Sequence, residues 1–263
     1  MKIYLNTAFE QYGLPTTFVK YLTKMGLREG EQENHDCVFN IDSIDSKGFK
    51  KGQKCTVYLE GDEFITKGRF KECYNQSDIF YILQKNYLPF YPEKTKIMKL
   101  GIDMERIHTI NIEKTYDYVF VGRMHGSPVY DNRINTLEEL KKSKYKILTT
   151  EGTPETYCEL MSSGRIILNI LPRIGEDVCV NRRILEGMVM GCMMTDYHPA
   201  IDDLGIKPNV HYLTLDRFGD ISDEEIKRVH EAGLQFVKDN YTVEHDIKTL
   251  ISDIEDFTGE KVC

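Results

Sequence analysis

Residues 181–192 read N-R-R-I-L-E-G-M-V-M-G-C. Arg183 and Glu186 are three positions apart, so on a helix they lie on one face. A carboxylate there can accept hydrogen bonds from a ribose diol, and an arginine at a helix N-terminus suits a diphosphate. Asn181 and Arg182 stand at the same start. A surface ion pair between Arg183 and Glu186 is the plain alternative. Upstream, a glycine and an arginine follow an apolar run at Gly122 and Arg123. The glycine lets backbone approach a ligand, and the arginine offers a planar fork for phosphate. A third group is Thr150 and Glu151, where a run of strand character meets polar residues. Exposed backbone N–H groups in such a turn can bind a base edge or a hydroxyl. His125, in the loop past Arg123, is within reach of a donor sugar or phosphate, though a lone loop histidine is commonly just exposed.

These residues need strand ends and helix starts to hold them, and the sequence supplies both. Residues 116–121, 145–150, 165–171, 192–195 and 212–215 have strand character, and 165–171 (R-I-I-L-N-I-L) lacks polar alternation, as expected of a strand buried on both faces. Helices are predicted at 134–140 and 182–190, the latter closed by Gly191. Another is expected from an N-cap at Thr153 with Pro154 to Ser163, with Gly164 just past its end. Ser222 and Glu225 form a capping box, and a last helix begins near Thr242, with Ile247, Leu250, Ile251, Ile254 and Phe257 on one stripe. In the first half, strands are expected at 3–5, 37–41, 56–59, 78–83 and 96–100, with a helix at 17–25. Alternating strands and helices indicate a parallel α/β architecture. Two Rossmann-like domains facing across a cleft, with C-terminal helices, are therefore expected. Residues 1–110 would form the first domain and 111–263 the second, joined near 106–114; in the resemblance set out below, they correspond to a minimal acceptor-side domain and the donor-binding domain. One continuous sheet is the alternative, because no Pro/Gly-rich linker divides the halves.

Composition narrows the function. The 263-residue chain carries a net charge of −8, and nearly all of the acidity falls after residue 110. Such a chain is a poor non-specific nucleic-acid binder. Lys47, Lys50, Lys51 and Lys54 make one local basic stretch, read as a solvated loop or else as a contact for an anionic acceptor. The seven cysteines form no C-x-x-C pair, and their number is odd. They read as reduced, mostly buried thiols in a cytoplasmic protein. No apolar run is long enough to span a membrane, and the N-terminus lacks the features of a signal peptide. Tyr74, Phe80, Tyr81, Tyr87, Phe90 and Tyr91 crowd one region and read as packing, with sugar or base stacking as the alternative.

The segment from about 117 to 215 resembles the donor-binding domain of GT-B glycosyltransferases, in particular the bacterial and phage branch that includes spore-maturation-type transferases. The resemblance rests on V-F-V-G-R at 119–123, Y-C-E-L-M-S-S-G-R-I-I-L-N at 157–169, N-R-R-I-L-E-G-M-V-M-G-C at 181–192 and M-M-T-D at 193–196. It implies that Glu186 binds the ribose and that Arg183, Gly122 and Arg123 serve the diphosphate. The segment 78–103, with its Gly101–Asp103 end, resembles the part of the family just before the interdomain crossover. Many retaining members have a second glutamate eight residues before the ribose-binding one; here Val178 stands there, with Glu176 and Asp177 out of register. Retaining chemistry of that kind is therefore not expected.

The implied function is transfer of a sugar from a nucleotide-sugar donor to an acceptor that is a glycan, a small molecule, a protein or modified DNA. No cofactor and no metal are expected. Arg123 and Arg183 would stabilise the leaving diphosphate. An inverting reaction needs a general base on the acceptor side, for which Glu60, Asp62 and Glu63 are the candidates, with Glu10 and Tyr12 second and Gly13 allowing close approach. The alternative is a non-catalytic nucleotide or nucleotide-sugar binding protein.

Overall fold

The computed structural model describes residues 3–7, 14–27, 36–41, 50–60, 71–83, 85–91, 93–99, 101–125, 127–175 and 177–262. The chain divides into two compact units, one of residues 1–101 with 242–263, the other of residues 102–241.

In the first unit, β1 (Ile3–Thr7), α1 (Leu14–Lys24), β2 (Cys37–Ile41), β3 (Cys55–Glu60), α2 (Lys71–Gln76), β4 (Ile79–Ile82) and β5 (Thr95–Ile97) follow one another along the chain. All strand pairs are parallel, in the order β1-β2-β3-β4-β5. Strands β2 and β4 are buried throughout, which is why their sequences, C-V-F-N-I and I-F-Y-I, carry so little polar alternation. Tyr74, Phe80 and Tyr91 pack ring on ring at 4.8–5.5 Å and Tyr81 is buried, as expected, while the side chains of Tyr87 and Phe90 lie outside the described residues.

The second unit contains β6 (Tyr116–Val121), α3 (Asp131–Lys141), β7 (Ile147–Thr150), α4 (Tyr157–Ser162), β8 (Gly164–Asn169), the short pair β9 (Arg173–Ile174) and β10 (Asp177–Val178), α5 (Arg183–Met190), β11 (Cys192–Thr195), β12 (Leu213–Thr214) and α6 (Asp223–Asn240). Its main sheet is parallel, in the order β12-β11-β8-β6-β7. From β6 the chain builds β7 on one side and then crosses to β8 on the other, so the strand order reverses there. In open α/β sheets the carboxyl ends at such a reversal form the ligand crevice.

Helix α7 (Val243–Thr258) packs on α1 and joins the core of the first unit through Val243, Ile247, Leu250 and Ile254. Phe257, expected on the same stripe, is half exposed. Sequence order had left this helix with the second half, and the crossing point at 101–102 also precedes the expected 106–114. Two separate five-stranded sheets are present, not the single continuous one held as the alternative.

Two local readings change. Thr153 is not the N-cap of α4; residues 154–156 form a turn and Thr156 takes the cap position, its hydroxyl accepting from the Thr153 N–H at 3.1 Å. Gly164 does not close that helix from outside but opens β8, paired with Tyr116. The second difference arises because pairing with β6 draws into a strand a residue the local signals assigned to a helix end. By contrast Ser222 caps α6, accepting from the Glu225 N–H at 3.2 Å, and α7 starts after Thr242, with His245 as the partner in its capping box.

Candidate donor site

The carboxyl ends of β6, β7, β8 and β11 and the start of α5 lie in one unit and are tied together by hydrogen bonds. The Gly122 N–H donates to the Thr150 carbonyl at 2.9 Å, which joins the turns after β6 and β7. Glu151 accepts from the Met124 N–H at 3.0 Å and meets His125 Nδ1 at 2.9 Å. The side chain of Arg123 is exposed. Across the reversal, the fully buried Asn169 at the end of β8 donates to Thr195 Oγ1 at 3.3 Å at the end of β11.

Arg183 reaches from the first turn of α5 back to these strand ends. Its Nη1 donates to Asn169 Oδ1 at 3.2 Å, and its guanidinium lies 5.2 Å from the Phe120 ring centroid. Gly122 makes this approach possible: a Cβ at that position would sit 2.2 Å from Arg183 Nη2. Glycine is therefore required by the arginine as well as by any ligand. Arg183 does not pair with Glu186. Arg182, the N-cap residue, meets Glu186 instead at 3.3 Å, and the Tyr157 hydroxyl donates to Glu186 Oε2 at 2.8 Å. Burial, then the charge of Glu186, raises the Tyr157 phenol well above its ordinary value, with Arg183 opposing. The hydroxyl thus stays protonated and holds the carboxylate in place.

The polar atoms that find no partner are concentrated here. Among the described residues the buried side-chain atoms without a hydrogen bond are Arg173 Nε, Asn181 Oδ1, Arg182 Nε, Arg183 Nε and Tyr212 Oη. All but the last belong to β9 or to the start of α5. Arg182 Nε faces Glu186 Oε1 at 3.3 Å and Asn181 Oδ1 is an acceptor, so the buried donors left without a partner at this end are Arg173 Nε and Arg183 Nε. Such donors are costly, about 1–3 kcal/mol each, and are rarely kept without use. They suit a ligand rich in acceptor oxygens.

All eight donor residues expected from sequence therefore fall at one end of the second unit: Gly122, Arg123, Thr150, Glu151, Asn181, Arg182, Arg183 and Glu186. Four residues of the arrangement had been given no role. Tyr157 comes from α4. Arg173 meets Asp196 just past β11, and Asp196 also accepts from the Leu171 N–H at 2.9 Å. Arg133 on α3 is buried beside Phe120. Tyr157 and Asp196 had a sequence signal, as the first residue of the 157–169 motif and the last of the M-M-T-D strand end; Arg133 and Arg173 had none.

The candidate bases fare differently. Glu60 is the last residue of β3, and its side chain, with Asp62, Glu63, Glu10, Tyr12 and Gly13, lies outside the described residues. Lys47 and Glu176 lie outside them too. Lys54 pairs with Glu260 at 2.6 Å and Asp36 at 3.4 Å. Among the described residues no group of three or more His, Cys, Asp or Glu is placed to hold a metal ion, and no helix is long and apolar enough to cross a membrane. None of the six described cysteines is in a disulfide, and five of them are buried.

No protein-family model matches the chain, and no curated protein sequence matches it. Solved structures do. The chain aligns with a glycosyltransferase from Rickettsia africae at 11% identity and a TM-score of 0.55, covering 97% of both chains. It aligns with a DNA-modifying β-glucosyltransferase, solved with and without uridine diphosphoglucose, at 14% identity and 0.55, covering 99% of this chain and 100% of that one. Anabaena HepE, in complex with UDP and glucose, aligns at 9% identity and 0.58, covering 97% and 85%. Two parallel-sheet Rossmann-like units with flanking helices are the fold of the GT-B glycosyltransferases, and that is the fold of this chain.

Proposed function

We propose that the chain is a glycosyltransferase that moves a sugar from a nucleotide-sugar donor to an acceptor, without a metal or other cofactor. The observation that carries this reading is the convergence of Gly122, Arg183, Asn181, Arg182 and Glu186 at the strand-order reversal, with buried donor groups unpaired. The fold shared with proteins whose structures hold UDP or uridine diphosphoglucose supports it. In this reading Glu186, fixed by Tyr157 and Arg182, accepts from the ribose hydroxyls. Arg183, with Arg123 and the backbone of Gly122, takes the diphosphate and stabilises the charge that grows on it as the sugar leaves. Thr150 and Glu151 border the base. The acceptor-side base is one of Glu60, Asp62 and Glu63. The buried thiols outside any disulfide support a cytoplasmic setting, and Val178, where many retaining members have a glutamate, argues against retaining chemistry of that two-glutamate kind.

Thermal denaturation of the full chain with UDP, GDP, ADP and the matching nucleotide glucoses tests the donor site, since a ligand of the folded state raises the melting temperature by mass action. One nucleotide is expected to shift wild type, and Arg183→Ala and Glu186→Ala to lose the shift. No shift with any of them ends the reading. Release of free UDP from UDP-glucose, alone and with glycan or DNA acceptors, then separates an enzyme from a nucleotide-sugar binder, which would show the shift without turnover.

A further inference from the structure

Arg133 is the only fully buried arginine among the described residues, at 1% exposure. It projects from α3, outside every segment that suggested a donor site. Its Nε donates to the Ile170 carbonyl at 3.0 Å and its Nη1 to the Arg123 carbonyl at 2.7 Å. Those carbonyls belong to the segments leaving β8 and β6, the two strands at which the order reverses. The guanidinium lies 4.9 Å from the Tyr130 ring and 5.2 Å from the Phe120 ring. Arg183 stands at the same 5.2 Å from that Phe120 ring, so one aromatic side chain serves two cations.

Among the described residues neither guanidinium has a carboxylate partner. The acids at this end of the unit are engaged elsewhere: Asp196 with Arg173, Glu186 with Arg182, Glu151 with His125. Burial, then the charge of Arg183, brings the Arg133 pKa down to about 10, so it stays a cation at neutral pH. Burying an unpaired charge is expensive, and two neighbouring like charges add to the cost. A neutral side chain could satisfy carbonyl acceptors without it. A bound dianion would relieve both arginines at once.

We propose that Arg133 is a positioning residue for the donor's diphosphate: without touching the ligand, it clamps the turns after β6 and β8 through their carbonyls and places a second buried positive charge behind Arg183. The inference rests on the nucleotide-sugar reading above but concerns a residue outside the expected donor set. It makes the site selective for charge. Diphosphate affinity depends on Arg133, whereas nucleoside affinity does not.

Calorimetric titration of the full chain with pyrophosphate, UDP and uridine tests this in wild type, Arg133→Gln and Arg133→Lys. At the separation of neighbouring partly buried groups, loss of one unit charge is expected to weaken pyrophosphate and UDP about tenfold or more. Arg133→Gln should show that loss with uridine affinity unchanged, and its UDP binding should depend less steeply on salt. Arg133→Lys, which keeps the charge, should remain within about threefold of wild type. If Arg133→Gln weakens all three ligands alike, or only lowers the melting temperature, the residue is structural and the inference fails. Should Arg133→Gln not fold, the lysine variant decides: a loss as large as tenfold for pyrophosphate overturns the role of charge. Wild type that binds pyrophosphate but not UDP would sink the nucleotide reading and leave the anion seat standing. Wild type that binds neither overturns both.

Discussion

Tyr157 makes Glu186 usable. A carboxylate half-buried at the start of a helix could swing between its neighbours, and the Tyr157 hydroxyl at 2.8 Å with Arg182 at 3.3 Å prevents that. Hydrogen bonds to a charged group contribute about 1.5–3 kcal/mol. Tyr157→Phe is therefore expected to weaken donor binding by about tenfold while the fold persists, measured by titration with the nucleotide that wild type prefers. Unchanged affinity would mean that Arg182 alone suffices. Gly122→Ala is a sharper test of the same site. Its methyl group would displace the Arg183 guanidinium from 2.2 Å away, so diphosphate binding should fall as far as in Arg183→Ala, and the backbone φ of 158° means the melting temperature should fall too. A variant that binds normally would show that Arg183 can sit elsewhere when ligand is present. Arg183 and Glu186 were readable from spacing because one helix turn brings i and i+3 together. Tyr157 was not, because its contact spans 29 positions and depends on how α4 lies against α5.

Helix α6 shows how an element is set both by its own sequence and by what it meets. Ser222 accepts from the Glu225 N–H, a local bond that the capping-box spacing announced. Ser222→Ala should cost about 1 kcal/mol in urea denaturation. Gly233 lies mid-helix, where local preference disfavours glycine. A Cβ there would meet the His211 carbonyl oxygen at 2.5 Å and Met188 Cγ at 3.3 Å. The helix thus runs against backbone, and Gly233→Ala is expected to destabilise by about 1–3 kcal/mol although alanine is the better helix former. A gain in stability would mean that the approach is looser than described. The end of α4 shows the same contrast: local rules made Gly164 its closing glycine, yet pairing with Tyr116 draws that residue into β8.

At the scale of the whole molecule, the second unit is continuous in sequence and its two ends meet: the Ile102 N–H donates to the Tyr241 carbonyl at 2.7 Å. Its cores draw on residues from within 102–241 alone. A fragment of residues 102–241 is accordingly expected to fold, with a cooperative thermal transition and the nucleotide shift of the full chain. The first unit has no such independence. Removing residues 242–263 would strip Val243, Ile247, Leu250 and Ile254 from its core, and residues 1–101 alone should fail to show a cooperative transition. A stable 1–101 fragment would show that α7 is dispensable.

By itself the sequence determined the class of fold, most strand and helix positions, and the gathering at one sheet end of the eight residues expected to meet the donor, because strand burial, helix caps and i, i+3 spacing are short-range facts carried by neighbouring side chains. The tertiary structure decided which atoms near that end stay unpaired, that Arg133 and Tyr157 stand behind the expected residues, and that the last helix completes the first unit. Those features depend on contacts between residues far apart in the chain, where packing chooses the partner and local pattern has no say.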